Sequence, residues 1–78
     1  MTTTVYTKDN CQGCKATIRF LDGNDIPYVT KNVDTDEKAR EKVMALGFMQ
    51  MPVVVSPTDS WFGYRPDKLV TVPGYGSN

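Results

Sequence analysis

Thr7-Lys8-Asp9-Asn10-Cys11-Gln12-Gly13-Cys14 is a polar turn that runs into a pair of cysteines, and the fold is read from it. These are the only two cysteines among 78 residues. Small domains that depend on disulfides usually carry several, joining distant segments. A bridge from Cys11 to Cys14 closes a very short loop and adds roughly 2 kcal/mol at best. Stapling is therefore a poor explanation of the pair. Two incidental cysteines are the bland alternative, and a dithiol that cycles with its own disulfide is the functional one. Histidine is absent, which removes imidazole acid–base chemistry and the commonest metal ligand. Two cysteines without histidine cannot make up the four ligands of a structural zinc site.

Working outward, Thr2 to Thr7 is rich in β-branched residues and reads as a first strand. Asn10 is a good helix N-cap. From Cys14 the apolar positions Cys14, Ile18 and Leu21 keep a helical spacing, with Ala16 and Phe20 on flanking faces and Gly23 as the stop. Tyr28 to Val33 is a second strand. Asp34 is placed to cap the next helix, with Glu37 three residues on as in a capping box. Ala39, Val43 and Leu46 form its buried stripe, and Gly47 ends it. Val53 to Val55 is a short third strand, Pro57-Thr58-Asp59 a turn and Ser60 to Gly63 a fourth strand. Pro66 suits the first position of a last helix reaching about Val72. The residues from Pro73 form a loose tail. The order β-α-β-α-β-β-α in one domain predicts a four-stranded mixed sheet flanked by three helices. Its first two strands are parallel through a right-handed crossover, and its last two form a hairpin.

This order puts the cysteines where the first strand hands over to the first helix. Free amide N–H groups and the helix dipole favour negative charge there. Cys11 is then the thiol with the lowered pKa, and Cys14, one turn in, is the more buried and protonated one. Lys8 adds positive charge nearby, or is simply a solvated lysine. Gln12 and Gly13 tune the redox poise, where about 30 mV corresponds to ~1.4 kcal/mol. Pro52 is a second element. X-Pro bonds are cis in only about 5–6% of cases, but immediately before the third strand of a Cys-x-x-Cys domain Pro52 is expected to be one. That bond turns the Met51 backbone toward Cys11, ready to pair with an incoming peptide strand. The third element is Trp61-Phe62-Gly63-Tyr64-Arg65-Pro66. Strand alternation buries only some of its aromatics, and exposed aromatics with arginine mark protein-binding patches. For Trp61 structural and binding roles weigh equally, whereas Tyr64 reads as structural.

With these elements in place the sequence resembles the NrdH-type redoxins. The resemblance rests on Thr4-Val5-Tyr6-Thr7-Lys8, Cys11-x-x-Cys14, Ala16-Thr17, Val43 to Gly47, Gln50-x-Pro52-Val53-Val54-Val55 and Trp61-x-Gly63-x-Arg65-Pro66-Asp67, and it spans about residues 3 to 70. It implies the thioredoxin/glutaredoxin-like fold and a small thiol–disulfide oxidoreductase without a bound cofactor. Implied partners are thioredoxin reductase as electron source and the large subunit of class Ib ribonucleotide reductase as acceptor. It further implies Cys11 as attacking thiol, Cys14 as resolving thiol, Pro52 as the cis proline beside them, and Trp61, Gly63 and Arg65 as the segment ordering the region after the last strand. The chain departs from the family pattern at Gln12-Gly13, Ser60, Phe62 and Tyr64. Gly13 and Phe62 fall in or near the face that meets partners, so they bear on poise and partner more than on the reaction.

Two rivals are weighed against this. A glutathione-dependent glutaredoxin usually has Thr-Val before its cis proline and a Gly-rich segment followed by Cys-Asp or Ser-Asp. Here Met51 precedes Pro52, and Trp61 to Arg65 fills the later place. A copper-type metallochaperone also uses Cys-x-x-Cys after a first strand, but usually with Met just before it, where this chain has Lys8-Asp9-Asn10. A cluster bridging two chains is a third possibility that no residue requires. Nine basic residues balance nine acidic ones without a run of either sign, which argues against nucleic acid or membrane surfaces as partners. No secretory signal is read at the N-terminus, and no apolar run is long enough to span a bilayer. A cytoplasmic monomer is the expectation.

Overall fold

The computed structural model describes residues 2–76. The strands are β1 (Thr3–Thr7), β2 (Tyr28–Asn32), β3 (Val53–Val55) and β4 (Ser60–Phe62), and the helices are α1 (Gln12–Gly23), α2 (Glu37–Ala45) and α3 (Pro66–Leu69). They form one mixed sheet in the order β2-β1-β3-β4. β1 runs parallel to β2, from Thr3 opposite Tyr28 to Thr7 opposite Asn32. β3 is antiparallel to both β1 and β4. This is the thioredoxin-like fold expected from the sequence.

The register divides the side chains between two cores. Val5, Val54 and Trp61 lie opposite one another across three strands. They share a face and pack with Leu21 of α1 and Ile26 just after it, and with Leu69 of α3 and Val72 just after it. One residue along, Tyr6 and Val53 point to the other face and pack with Val33, Ala39 and Val43 of the α2 side. The first core has α1 and α3 above it, the second α2 below.

Several local expectations are corrected. α1 begins at Gln12, and its N-cap is Cys11, not Asn10. Asn10 instead takes a left-handed backbone, φ 56°, which Asn tolerates better than most residues. Along α1 the buried stripe is Cys14, Thr17 and Leu21. Ile18 is half-buried, while Thr17 is buried with its hydroxyl satisfied by donating to the Gly13 carbonyl at 2.9 Å. α2 is capped by Asp36, whose Oδ1 accepts from the Ala39 N–H at 3.1 Å. Asp34 and Glu37 form no capping box. Asp34 turns back and accepts the Asp9 N–H at 2.9 Å. Leu46 is 39% exposed rather than buried, because the helix ends there and Gly47 turns the chain with φ 87°. α3 stops at Leu69, short of Val72. The segment after Pro73 is not loose through Gly76. Tyr75 stacks on Phe20 at 5.9 Å between ring centroids, and Gly74 lies against Ile26 and Pro27.

Candidate active site

Cys11 has extended backbone, φ −110° and ψ 108°, the conformation that an N-cap needs. Its Sγ accepts the Cys14 N–H at 3.1 Å, and its carbonyl accepts the Lys15 N–H at 3.2 Å. The sulfur of Cys11 thus occupies the place that a serine or aspartate oxygen takes in an ordinary cap. It meets the unpaired amides at the positive end of α1. Cys11 and Cys14 are joined in a disulfide, with their Cα atoms 5.2 Å apart. Cys14 is 3% exposed and Cys11 6%. Cys14 is the more buried of the two, as expected, and Cys11 is buried as well.

The turn before Cys11 is held from the side. Asn32 Nδ2 donates to Asp9 Oδ1 at 3.0 Å, and the Asp34 N–H donates to Asn32 Oδ1 at 2.8 Å. With the bond from Asp9 to Asp34, this ties the cysteine loop to the end of β2.

The Met51–Pro52 peptide bond is cis. Pro52 is fully buried, and its carbonyl accepts the Gly63 N–H at 2.8 Å. Pro52 also touches the cysteine turn. A Cβ placed on Gly13 would lie 3.1 Å from Pro52 Cδ. The ladder between β3 and β1 begins at Val53, so the Met51 backbone stands outside the sheet, beside the segment that packs on Gly13.

The aromatic segment splits as alternation demands. Trp61 faces the first core at 3% exposure, which opposes a direct binding role. Its ring lies 5.8 Å from Lys68 Nζ, which also pairs with Asp59 at 3.1 Å. Phe62, on the opposite face of an edge strand, is half exposed and tilts against Phe48 at 5.9 Å between ring centroids. Tyr64 is exposed too, which corrects its structural reading. Gly63 turns the chain with φ 86°. Arg65 makes a forked pair with Asp67, Nε to Oδ1 at 3.1 Å and Nη2 to Oδ2 at 2.9 Å. That bond holds the Asp67 carboxyl below its ordinary pKa, as the bond from Lys68 does for Asp59. On the other face, burial and then the Asp36 charge push the Tyr6 phenol up.

Beside Met51 lies an apolar groove of about 460 Å³, whose walls include Lys8, Val43, Met44, Phe48 and Met49. Gly47, Phe48 and Met49 also line a second groove of about 200 Å³, together with Gln50 and Phe62. Sequence reasoning placed Lys8, Met51 and Phe62 here but missed Arg40, Met44, Phe48 and Met49. The signal was present in part, since Arg40, Met44 and Gly47 follow a helical face one step from the buried Ala39–Val43 stripe. Gln12 is exposed on the first turn of α1. Among the described residues no group of three or more His, Cys, Asp or Glu side chains is arranged to hold a metal ion. Nor is any helix long and apolar enough to cross a membrane.

Comparison with known proteins agrees with this geometry. The glutaredoxin family model matches residues 3–59. The glutaredoxin-like protein NrdH of Salmonella typhimurium is 39% identical over 69 residues, covering 88% of this chain and 85% of that one. NrdH of Lactococcus lactis subsp. cremoris is 35% identical over 66 residues, covering 85% and 92%. Among solved structures, the glutaredoxin-like protein NrdH-redoxin from Escherichia coli, described as having a thioredoxin-like activity profile, superposes with a TM-score of 0.85. It is 39% identical, with 88% of this chain and 91% of that chain covered. A glutaredoxin from Archaeoglobus fulgidus superposes with a TM-score of 0.77 at 28% identity, covering 90% and 83%. The chain belongs to the glutaredoxin family, within its NrdH-type redoxins, and is a thiol–disulfide oxidoreductase.

Proposed function

We propose that this protein carries electrons from NADPH-charged thioredoxin reductase to the active-site disulfide of the class Ib ribonucleotide reductase large subunit, as a cytoplasmic monomer. The observation that carries the redox step is the Cys11 sulfur capping α1 and accepting the Cys14 N–H. In the reduced protein the same amides stabilise a Cys11 thiolate. That thiolate attacks one sulfur of the partner disulfide. The partner S–S bond breaks, its departing sulfur takes up a proton, and a mixed disulfide remains. Cys14 then loses its proton and attacks Cys11 Sγ, which releases the second partner thiol and forms the Cys11–Cys14 disulfide. Two electrons pass to the partner, and thioredoxin reductase returns them. Met51, ahead of Pro52 and outside the sheet, is placed to pair with the partner's extended strand.

Three observations favour thioredoxin reductase over glutathione. Arg65 is already neutralised by Asp67, so that segment offers no free cation to a glutathione carboxylate. Met51 stands where glutaredoxins usually place Thr-Val. The E. coli relative named above is described by a thioredoxin-like activity profile.

The test is reconstitution with NADPH, thioredoxin reductase and a class Ib ribonucleotide reductase. Deoxyribonucleotide formation should depend on this protein, and Cys11→Ser should abolish it. Cys14→Ser should instead accumulate a reducible adduct with the large subunit, visible by non-reducing electrophoresis. Full turnover by Cys14→Ser would overturn the assigned roles, and no adduct and no turnover with the wild type would overturn the partner.

A further inference from the structure

Asn32, the last residue of β2, is a junction that the redox step leaves unused. Both ends of its side-chain amide are engaged. Nδ2 donates to Asp9 Oδ1 at 3.0 Å, and Oδ1 accepts the Asp34 N–H at 2.8 Å. Its carbonyl accepts the Asp36 N–H at 2.8 Å, so the same residue anchors the N-cap of α2. Asp9 is gripped a second time through its backbone, whose N–H donates to Asp34 Oδ2 at 2.9 Å. The sheet ends where this network begins. Thr7 opposite Asn32 is the last pair of the β1–β2 register, closed by the Val33 N–H on the Thr7 carbonyl at 2.8 Å. Residues 8 to 10 then cross to α1 outside the ladder, and Asp9 is where the end of β2 holds them.

The turn so held is a strained one. Asn10 has φ 56°, a left-handed backbone that costs energy in residues other than glycine and persists where its surroundings fix it. Cys11 follows directly, and its Sγ meets the Cys14 N–H from an extended, N-cap backbone. In the oxidised protein the disulfide also ties Cys11 to the helix. Opening that bond removes the tie just when the sulfur becomes the nucleophile.

We propose that Asn32 is a positioning residue of the reaction. Its amide bridges Asp9 to the Asp34 backbone and holds the Asn10–Cys11 turn, so that the Cys11 sulfur stays on the α1 amides after the disulfide opens. The attacking thiolate is then stabilised by donors already in place. The proposal rests on the dithiol reading and adds to it a residue that acts through Asp9 and the turn.

The test follows alkylation of Cys11 by iodoacetamide in the pre-reduced full-length protein as pH is varied, which reads the thiolate. The rate of reduction of hydroxyethyl disulfide is measured beside it. Asn32→Ala changes no charge. It should move the alkylation midpoint up by about half a pH unit and, below that midpoint, slow reduction about threefold, because thiolate is lost and the sulfur is less well aligned. Exchanging the partners, Asp9→Asn with Asn32→Asp, keeps the total charge and rebuilds the bond with donor and acceptor reversed. It should return both values to wild type. Asn32→Asp alone sets two carboxylates face to face and should shift the midpoint further than Asn32→Ala does. Circular dichroism checks that each variant folds.

An unchanged midpoint in Asn32→Ala would overturn the proposal and leave the dithiol reading standing. A shift that the exchange fails to restore would overturn the Asp9 bond as its cause. If Asn32→Ala does not fold, Asp9→Ala, at an exposed turn position, breaks the same bond. It should still raise the midpoint although it removes a negative charge, and a lowered midpoint would overturn the proposal. Failure of the wild type to reduce hydroxyethyl disulfide would instead sink the dithiol reading.

Discussion

Gly13 is the residue at which the two halves of the site touch. A methyl group there would sit 3.1 Å from Pro52 Cδ, tighter than ordinary van der Waals contact, and Pro52 is a rigid ring with no exposed side on which to relax. Alanine also favours the helix over glycine by up to about 1 kcal/mol, so stability and geometry pull in opposite directions. Gly13→Ala is therefore expected to keep the midpoint of thermal unfolding within a few degrees of wild type while lowering kcat/KM for disulfide reduction about tenfold. That loss is smaller than the ~100-fold of a 1 Å misplacement. Unchanged kcat/KM would show that the contact does not position the site. The residue scale also shows where the sequence was legible. Cys11, Cys14 and Pro52 announce themselves by type and spacing. Trp61 and Phe62 do not, because adjacent residues of one strand take opposite faces. Which of them faces the core depends on the pairing of Val54 with Trp61, a long-range fact that no local pattern carries.

At the scale of elements, the boundaries of α2 illustrate how a correct helix can carry the wrong cap. Asp34 and Asp36 both precede the helix and both suit an N-cap. The choice is made elsewhere, by Asp9 and Asn32, which draw Asp34 and the β2 end onto the cysteine loop and leave Asp36 to take the Ala39 N–H. The two aspartates should then separate on mutation. Asp36→Ala should cost about 1 kcal/mol of stability, with little effect on the thiol chemistry. Asp34→Ala should cost less stability and slow disulfide reduction, because it frees one side of the turn before Cys11. Urea unfolding midpoints set beside reduction rates check this, and the reverse pattern would return the cap to Asp34. The N-cap of α1 was missed by one position for a related reason. A cysteine sulfur does the capping, and Asn10 is spent on a left-handed turn.

For the whole molecule, the order of elements and the mixed sheet could be read from the sequence because each strand and helix carries its own periodicity and the crossover has a fixed hand. The grooves could not. They are made by Lys8 after β1, Val33 after β2, α2, the loop after it and Phe62 of β4, brought together only by the sheet order β2-β1-β3-β4. The docked tail is of the same kind, since Phe20 and Tyr75 meet across most of the sequence.

Coupled NADPH oxidation on the oxidised protein tests the whole most directly. Thioredoxin reductase alone is compared with glutathione plus glutathione reductase. Rapid turnover with thioredoxin reductase, and none above background with glutathione, is the expected result. Turnover with glutathione alone would contradict it. The protein would then stand with the glutathione-dependent glutaredoxins, and the neutralised Arg65–Asp67 pair would not be what keeps glutathione out.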